Sequence, residues 1–207
     1  MPTTTINPAG NPRFAGFVNI DLLGSEEGAW LYQGNYWSKE PILSVGGSAN
    51  YQKDALIGPS GRTDNFVGSA HVFVDFPVSE QLEATFQAVG YRSVNGKGSR
   101  NTGWGGFADL GVRFGDLKPY VSYEGFWGED CEITGSTCSV GGLASKTADS
   151  RIFKAGINYF VDRNRNHINV EYSNNRGVSA IAPVSQPSTN VGASGKNTVL
   201  VHWNVIF

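Results

Sequence analysis

Residues 197–207 read NTVLVHWNVIF. Val199, Val201, Trp203, Val205 and Phe207 alternate onto one face, and Thr198, His202 and Asn204 onto the other. Such a period-2 stripe is the signature of a strand with one apolar and one polar side. The last residues of a soluble domain normally fray. A strand that keeps its pattern to a terminal aromatic fits a bacterial outer-membrane β-barrel, in which the final strand pairs within the sheet.

Working back from that strand, the same period recurs along the chain and no helical stretch stands out. Strands are expected over 14–22, 42–52, 65–76, 81–92, 103–115, 117–127, 151–161, 166–174 and 197–207, with a further short candidate at 28–37. The apolar stripes carry no Asp, Glu, Lys or Arg. They include Val72, Val74, Phe86, Leu110, Val112, Val199, Val201, Trp203 and Phe207, which are expected to face lipid. The opposite faces collect Asp21, His71, Asp75, Glu83, Asp109, Arg113, Lys118, Glu124, Lys154 and Glu171 among small residues such as Ser44, Gly46, Ser48, Ser69, Gly105 and Gly111. Those charged residues are expected to line a hydrated lumen. Aromatics expected near strand ends (Phe76, Trp104, Phe114, Trp127, Tyr159, Tyr172) would form interfacial girdles.

The connections sort by length. Short turns fall at 77–80, 115–117 and 162–165, and long Gly/Ser/Asn-rich loops at 53–64, 93–102, 128–150 and 175–196. Alternating short and long connections are what an up-and-down transmembrane barrel needs, with short turns on the periplasmic side. A soluble β-sandwich has no reason to segregate them.

Composition agrees. Charged residues make up 16% of the 207 residues, against a usual value of about 25% in soluble domains. There are 27 Gly, 12 Phe, 8 Tyr and 5 Trp, which suits strands that are wet on one face and apolar on the other. No apolar run approaches the roughly 18 residues of a transmembrane helix. The net charge of −2 gives no basic stripe for nucleic acid. The opening MPTTTINPAGNP has neither a basic nor an apolar leader region, so an exported form is expected to be a mature chain or a piece of a longer precursor. Residues 1–13 read as a polar extension to a single domain spanning 1–207.

Few residues point to chemistry. Cys131 and Cys138 sit six residues apart within a loop. They suit either a disulfide pinning that loop or a metal or redox pair, and an oxidising compartment with no third ligand nearby favours the disulfide. The three histidines, His71, His167 and His202, lie within strands rather than in long loops, so no outer-rim Ser-His-Asp triad is expected. No enzyme activity, cofactor or metal is expected.

Six segments carry a resemblance: KEPILSVGGSANYQKDA (39–55), FVGSAHVFVDFPV (66–78), LEATFQAVGYR (82–92), FADLGVRFGDLKPYVSYEGFW (107–127), KAGINYFVDRNRNHINVEYSNNR (154–176) and VHWNVIF (201–207). In this order they resemble the C-terminal half of the phosphate-selective porin O and P family, over about residues 14–207. The resemblance implies an outer-membrane porin that is a barrel of about sixteen strands, with trimeric assembly. It implies diffusion of small hydrophilic solutes or ions, delivery through the barrel-assembly machinery by the C-terminal strand, and a phosphate or anion preference. The expected lumen has six acids and three bases, without the dense basic ladder that anion selectivity requires. An odd strand count suits a fragment. A tenth strand at 28–37 would allow a small closed barrel with a structural or adhesion role and no open pore. A soluble lipid-carrying barrel is a more distant alternative.

Overall fold

A computed structural model describes residues 10–25, 37, 39–58, 61–95, 102–128, 138–140, 143–145, 150–163, 166–177 and 196–205. Nine strands form one antiparallel sheet in which each strand lies beside its sequence neighbours. They are β1 (Arg13–Leu23), β2 (Ile42–Gly58), β3 (Gly61–Ser79), β4 (Leu82–Val94), β5 (Gly103–Phe114), β6 (Leu117–Gly128), β9 (Ser150–Asp162), β10 (Asn166–Gly177) and β11 (Lys196–Val205). Between β6 and β9 a small separate ribbon pairs β7 (Cys138–Val140) with β8 (Leu143–Ser145). The sheet is not closed: among the described residues β1 and β11 each have one neighbour.

The short turns are tight and tied to one another. Gly115 sits at φ 59, which a glycine adopts without a β-carbon clash. Its N–H donates to the carbonyl of Gln81 in the preceding short turn, and the N–H of Phe160 donates to the carbonyl of Asp116, both at 2.8 Å. Three hairpins are thereby locked at one end of the sheet. Pro119 lies inside β6 and has no N–H to give. The β5–β6 ladder is correspondingly interrupted between the pairs Gly111–Tyr120 and Phe114–Leu117.

Two expectations require correction. The 53–64 segment is not a long loop. β2 continues through a register shift between Gln52 and Leu56, and Leu56, Ile57 and Gly58 pair with Thr63, Arg62 and Gly61. Asp54 takes φ 49 at this irregularity, where β2 carries two more residues than β3 while the hairpin goes on. Tyr172 is not at a strand end: it lies across from Ala155 and Val199 in the middle of the sheet. The candidate strand at 28–37 falls outside the described residues except for Trp37. Cys131, Ile206 and Phe207 also lie outside them, and of Cys138 only the backbone is described.

The register sorts side chains as the period-2 reading expects. One row runs Leu23, Leu43, Val74, Phe86, Leu110, Val121, Ala155, Tyr172 and Val199 across all nine strands. A neighbouring row on the other face runs Asp21, Ser44, Phe73, Gln87, Asp109, Ser122, Lys154, Ser173 and Thr198.

Burial inverts what a water-soluble sheet would have. Asp75 and Glu83 are 0% exposed and Arg113 4%, whereas Leu110 is 50% and Trp203 71% exposed. No second sheet large enough to cover the polar face exists among the described residues, and we call that buried face of the nine-strand sheet the inner one. The apolar face, with Val121, Ile157, Val170 and Val201, is turned outward.

Candidate functional site: the polar inner face

All ten residues expected to line a lumen fall on the inner face, and all the described residues expected to face lipid fall on the outer one. The inner face is built strand by strand. Near the short turns, Arg113 of β5 lies directly across from Glu83 of β4. Arg113 Nε donates to Glu83 Oε2 at 2.7 Å, and its Nη1 donates to the Gly115 carbonyl at 3.0 Å. Both side chains are almost fully buried, so this ion pair is screened by little water. Its guanidinium also lies 5.2 Å from the ring centre of Trp37. Asp75 and Lys118 sit on the same face beside the pair, each buried and each with partners.

Lys118 spreads across Gly111, where a β-carbon would collide with it and come within 3.2 Å of Thr85 Oγ1. Further along, Tyr120 lies over Gly156, where a β-carbon would stand 2.7 Å from its ring. That lets the Tyr120 hydroxyl reach past β9 to Glu171 Oε2 on β10 at 2.8 Å. Asn169 Nδ2 donates to the same hydroxyl at 3.0 Å and to Asn158 Oδ1 at 2.8 Å. Lys154 pairs with Glu124. The small residues Gly46, Gly105 and Gly111 give space to His71, Tyr91 and Lys118 from the adjacent strands. The inner face is consequently crowded with interlocked polar side chains.

Toward the β1 edge the face opens. His71 Nε2 and Asn19 Oδ1 are 2.9 Å apart, the His71 ring stacks on Phe17 at 5.8 Å, and Asn19 donates to Asp21. His167 packs on Phe160 by the short turns, and His202 lies across from Asn169 on β11. The three histidines stay apart, and among the described residues no group of His, Cys, Asp and Glu could hold a metal ion.

At the other end the β2–β3 hairpin projects past the apolar rows. Asp64 accepts from the Tyr51 hydroxyl at 2.8 Å and from the Asp54 N–H at 2.9 Å. These bonds, with the Asp54 N–H first, hold its carboxyl below the usual carboxylate range.

The sequence period puts Asn158 and Asn169 on the polar face without naming them among the lumen residues, and the sequence reading passes over Tyr120. The period would have included Tyr120, which shares parity with Lys118 and Glu124. Trp37 enters the sequence reading only as the last residue of the candidate strand at 28–37, not as a member of the polar face. No protein-family model, no curated protein and no solved structure matches this chain.

Proposed function

We propose that this chain forms wall of a transmembrane β-barrel in the bacterial outer membrane and serves as a porin, a passive path for small hydrophilic solutes or ions with no catalytic group. The observation that carries the reading is the inverted burial: ionisable side chains are enclosed while a continuous apolar row faces out. In water that arrangement would waste the hydrophobic effect, whereas in hydrocarbon it is the stable one. Most strands are 10 to 13 residues long, against the roughly 9–11 that span a bilayer when tilted.

The edges support an incomplete wall. Nine antiparallel strands leave β1 and β11 running in the same sense. Antiparallel closure therefore needs an odd number of further strands, which a barrel of about sixteen would supply. The unpaired edge of β11 is the natural seam for assembly in the membrane, and trimerisation through the outer face is compatible with its apolar character. Of the three bases expected in the lumen, Arg113 and Lys154 are already paired to acids, so phosphate preference finds little support in this part of the wall.

A second reading, a filled barrel with a structural or adhesion role, is favoured by the crowding around Tyr120 and Lys118. The test is reconstitution of the full chain into lipid vesicles and planar bilayers. The porin reading expects folding only with amphiphile, heat-modifiable gel mobility and, once further strands close the sheet, discrete ion currents. Folding without current supports the filled barrel, and a protein freely soluble without amphiphile overturns both.

A further inference from the structure

We propose that the outer face carries, at the end opposite the tight turns, a binding site for the phosphate of a lipid headgroup, built on Arg92, Trp104, Trp127 and Arg151. The inference rests on the membrane part of the reading above. Toward this end of β4, β5, β6, β9 and β10, no Asp or Glu among the described residues falls on the outer face, and Asp109, Glu124 and Glu171 all take the inner one. The charged residues that this part of the outer face does carry are arginines. Arg92 lies near the last residue of β4, Arg151 near the first of β9 and Arg176 near the last of β10, each leading into or out of a long connection.

Register brings the parts together. Arg92 of β4, Trp104 of β5 and Trp127 of β6 stand side by side in one row. In the next row Gly90, Gly106 and Gly125 lead across to Arg151 of β9. The Arg92 guanidinium lies 5.3 Å from the ring centre of Trp104 and keeps further interactions of its own. The Trp127 ring covers Gly125, the position across from Arg151: a β-carbon there would stand 2.5 Å from it. At Gly90 a β-carbon would meet nothing within 4 Å, so a niche stays open beside Arg92. The β9–β10 ladder sets Arg151 directly across from Arg176. Like charges directly opposite on a sheet are unfavourable, and an anion held between them reverses the sign.

The chemistry selects a lipid over a free anion. A guanidinium fork matches the oxygens of a phosphate, and an indole suits the boundary between hydrocarbon and water. Below the arginines the surface continues through the exposed Tyr123 and Phe153 to Leu110 and Val121, which offer apolar contact to acyl chains. A free phosphate gains only the arginines, whereas a phosphate-bearing lipid gains both.

The experiment folds the full chain into phosphatidylcholine vesicles holding a minor share of brominated lipid, either phosphatidic acid or phosphatidylcholine, and reads quenching of tryptophan fluorescence. Heat-modifiable mobility confirms insertion. At equal share, brominated phosphatidic acid is expected to quench several-fold more than brominated phosphatidylcholine. The excess should vanish in the double variant Arg92→Gln with Arg151→Gln. It should survive in part in Arg92→Lys with Arg151→Lys, which keeps the charge and loses the fork. Arg62→Gln, a basic position on the projecting β2–β3 hairpin, should leave it unchanged. If the double Gln variant does not insert, Arg151→Gln alone serves, with a partial fall expected. An equal fall in Arg62→Gln assigns the excess to general charge and overturns the site, and an excess abolished by inorganic phosphate overturns the choice of a lipid. Equal quenching by the two lipids in the inserted parent overturns the site and leaves the membrane reading standing. Failure to insert into any vesicle overturns both.

Discussion

The two faces of this sheet obey opposite rules. On the outer face, the row from Leu23 to Val199 carries no charge in any strand and is exposed or half-buried throughout. On the inner face, Asp75, Glu83, Arg113 and Lys118 are charged or polar and lie buried. A soluble protein would place the first row in its core and the second in water. The contrast teaches that alternation alone is neutral about environment. The environment is fixed by which face the curvature encloses, and the enclosed face must then satisfy its charges internally. Arg113 with Glu83, Lys154 with Glu124, and Tyr120 with Glu171 and Asn169 do this.

The largest expected effect breaks the inner half of that contrast. Glu83→Ala leaves Arg113 buried without its carboxylate, and should destabilise the folded protein by about 3–5 kcal/mol in denaturant unfolding from lipid vesicles. Glu83→Leu combined with Arg113→Leu should cost far less, because neither charge is left unpaired. A loss of only about 0–1 kcal/mol for Glu83→Ala would mean that the pair is bathed in water like a surface ion pair. Such a result would favour an open bore over a filled one, so the measurement also discriminates between the two proposed readings.

The next effect tests the outer half. Leu110 lies mid-row with apolar neighbours Phe86 and Val121. Leu110→Arg should cost about 2–4 kcal/mol if this row sits near the bilayer midplane. A change to Arg at Thr63, in the projecting β2–β3 hairpin, should cost only about 1 kcal/mol, the worth of its hydroxyl's bond to the Asn95 carbonyl. Equal, small costs at both positions would show that water, rather than hydrocarbon, meets the outer face.

The faces were legible from sequence because side-chain direction in a strand depends only on parity. Asp109 and Leu110 are assigned to opposite sides by counting, and the register agrees. What parity does not encode is reach. Tyr120 meets Glu171 because Gly156 lets its ring lie across β9, a relation between residues 51 positions apart. The 53–64 segment misleads for a related reason. Its Asp, Lys, Pro, Ser and Gly residues match loop chemistry, yet a bulge at Asp54 absorbs the irregularity and pairing resumes. Trp37 ends the candidate strand at 28–37, a reading that carries nothing about its partners, and its place follows from two of them, Arg113 and Phe160, on strands far along the chain.

The smallest expected effect lies where neither face rules, at the projecting hairpin. Asp64 is exposed there, and its carboxylate accepts bonds from the Asp54 N–H and the Tyr51 hydroxyl. Both bonds favour the ionised form, which is why its pKa is lowered. A carboxyl lowered on folding contributes stability that is present above its unfolded value and lost as pH falls through its folded value. Hydrogen exchange at the Asp54 amide should therefore show protection near neutral pH that weakens in acid below the ordinary carboxylate range. In Asp64→Asn the amide oxygen still accepts one bond, but the acid-dependent loss disappears. Because the site is solvent-exposed, added salt should diminish the difference between the two proteins. The inner Glu83–Arg113 pair, shielded from solvent, should show little salt response in the same experiment. If salt moved both alike, the inner face would be as accessible to ions as the hairpin, and the distinction between an enclosed and an exposed polar surface would dissolve.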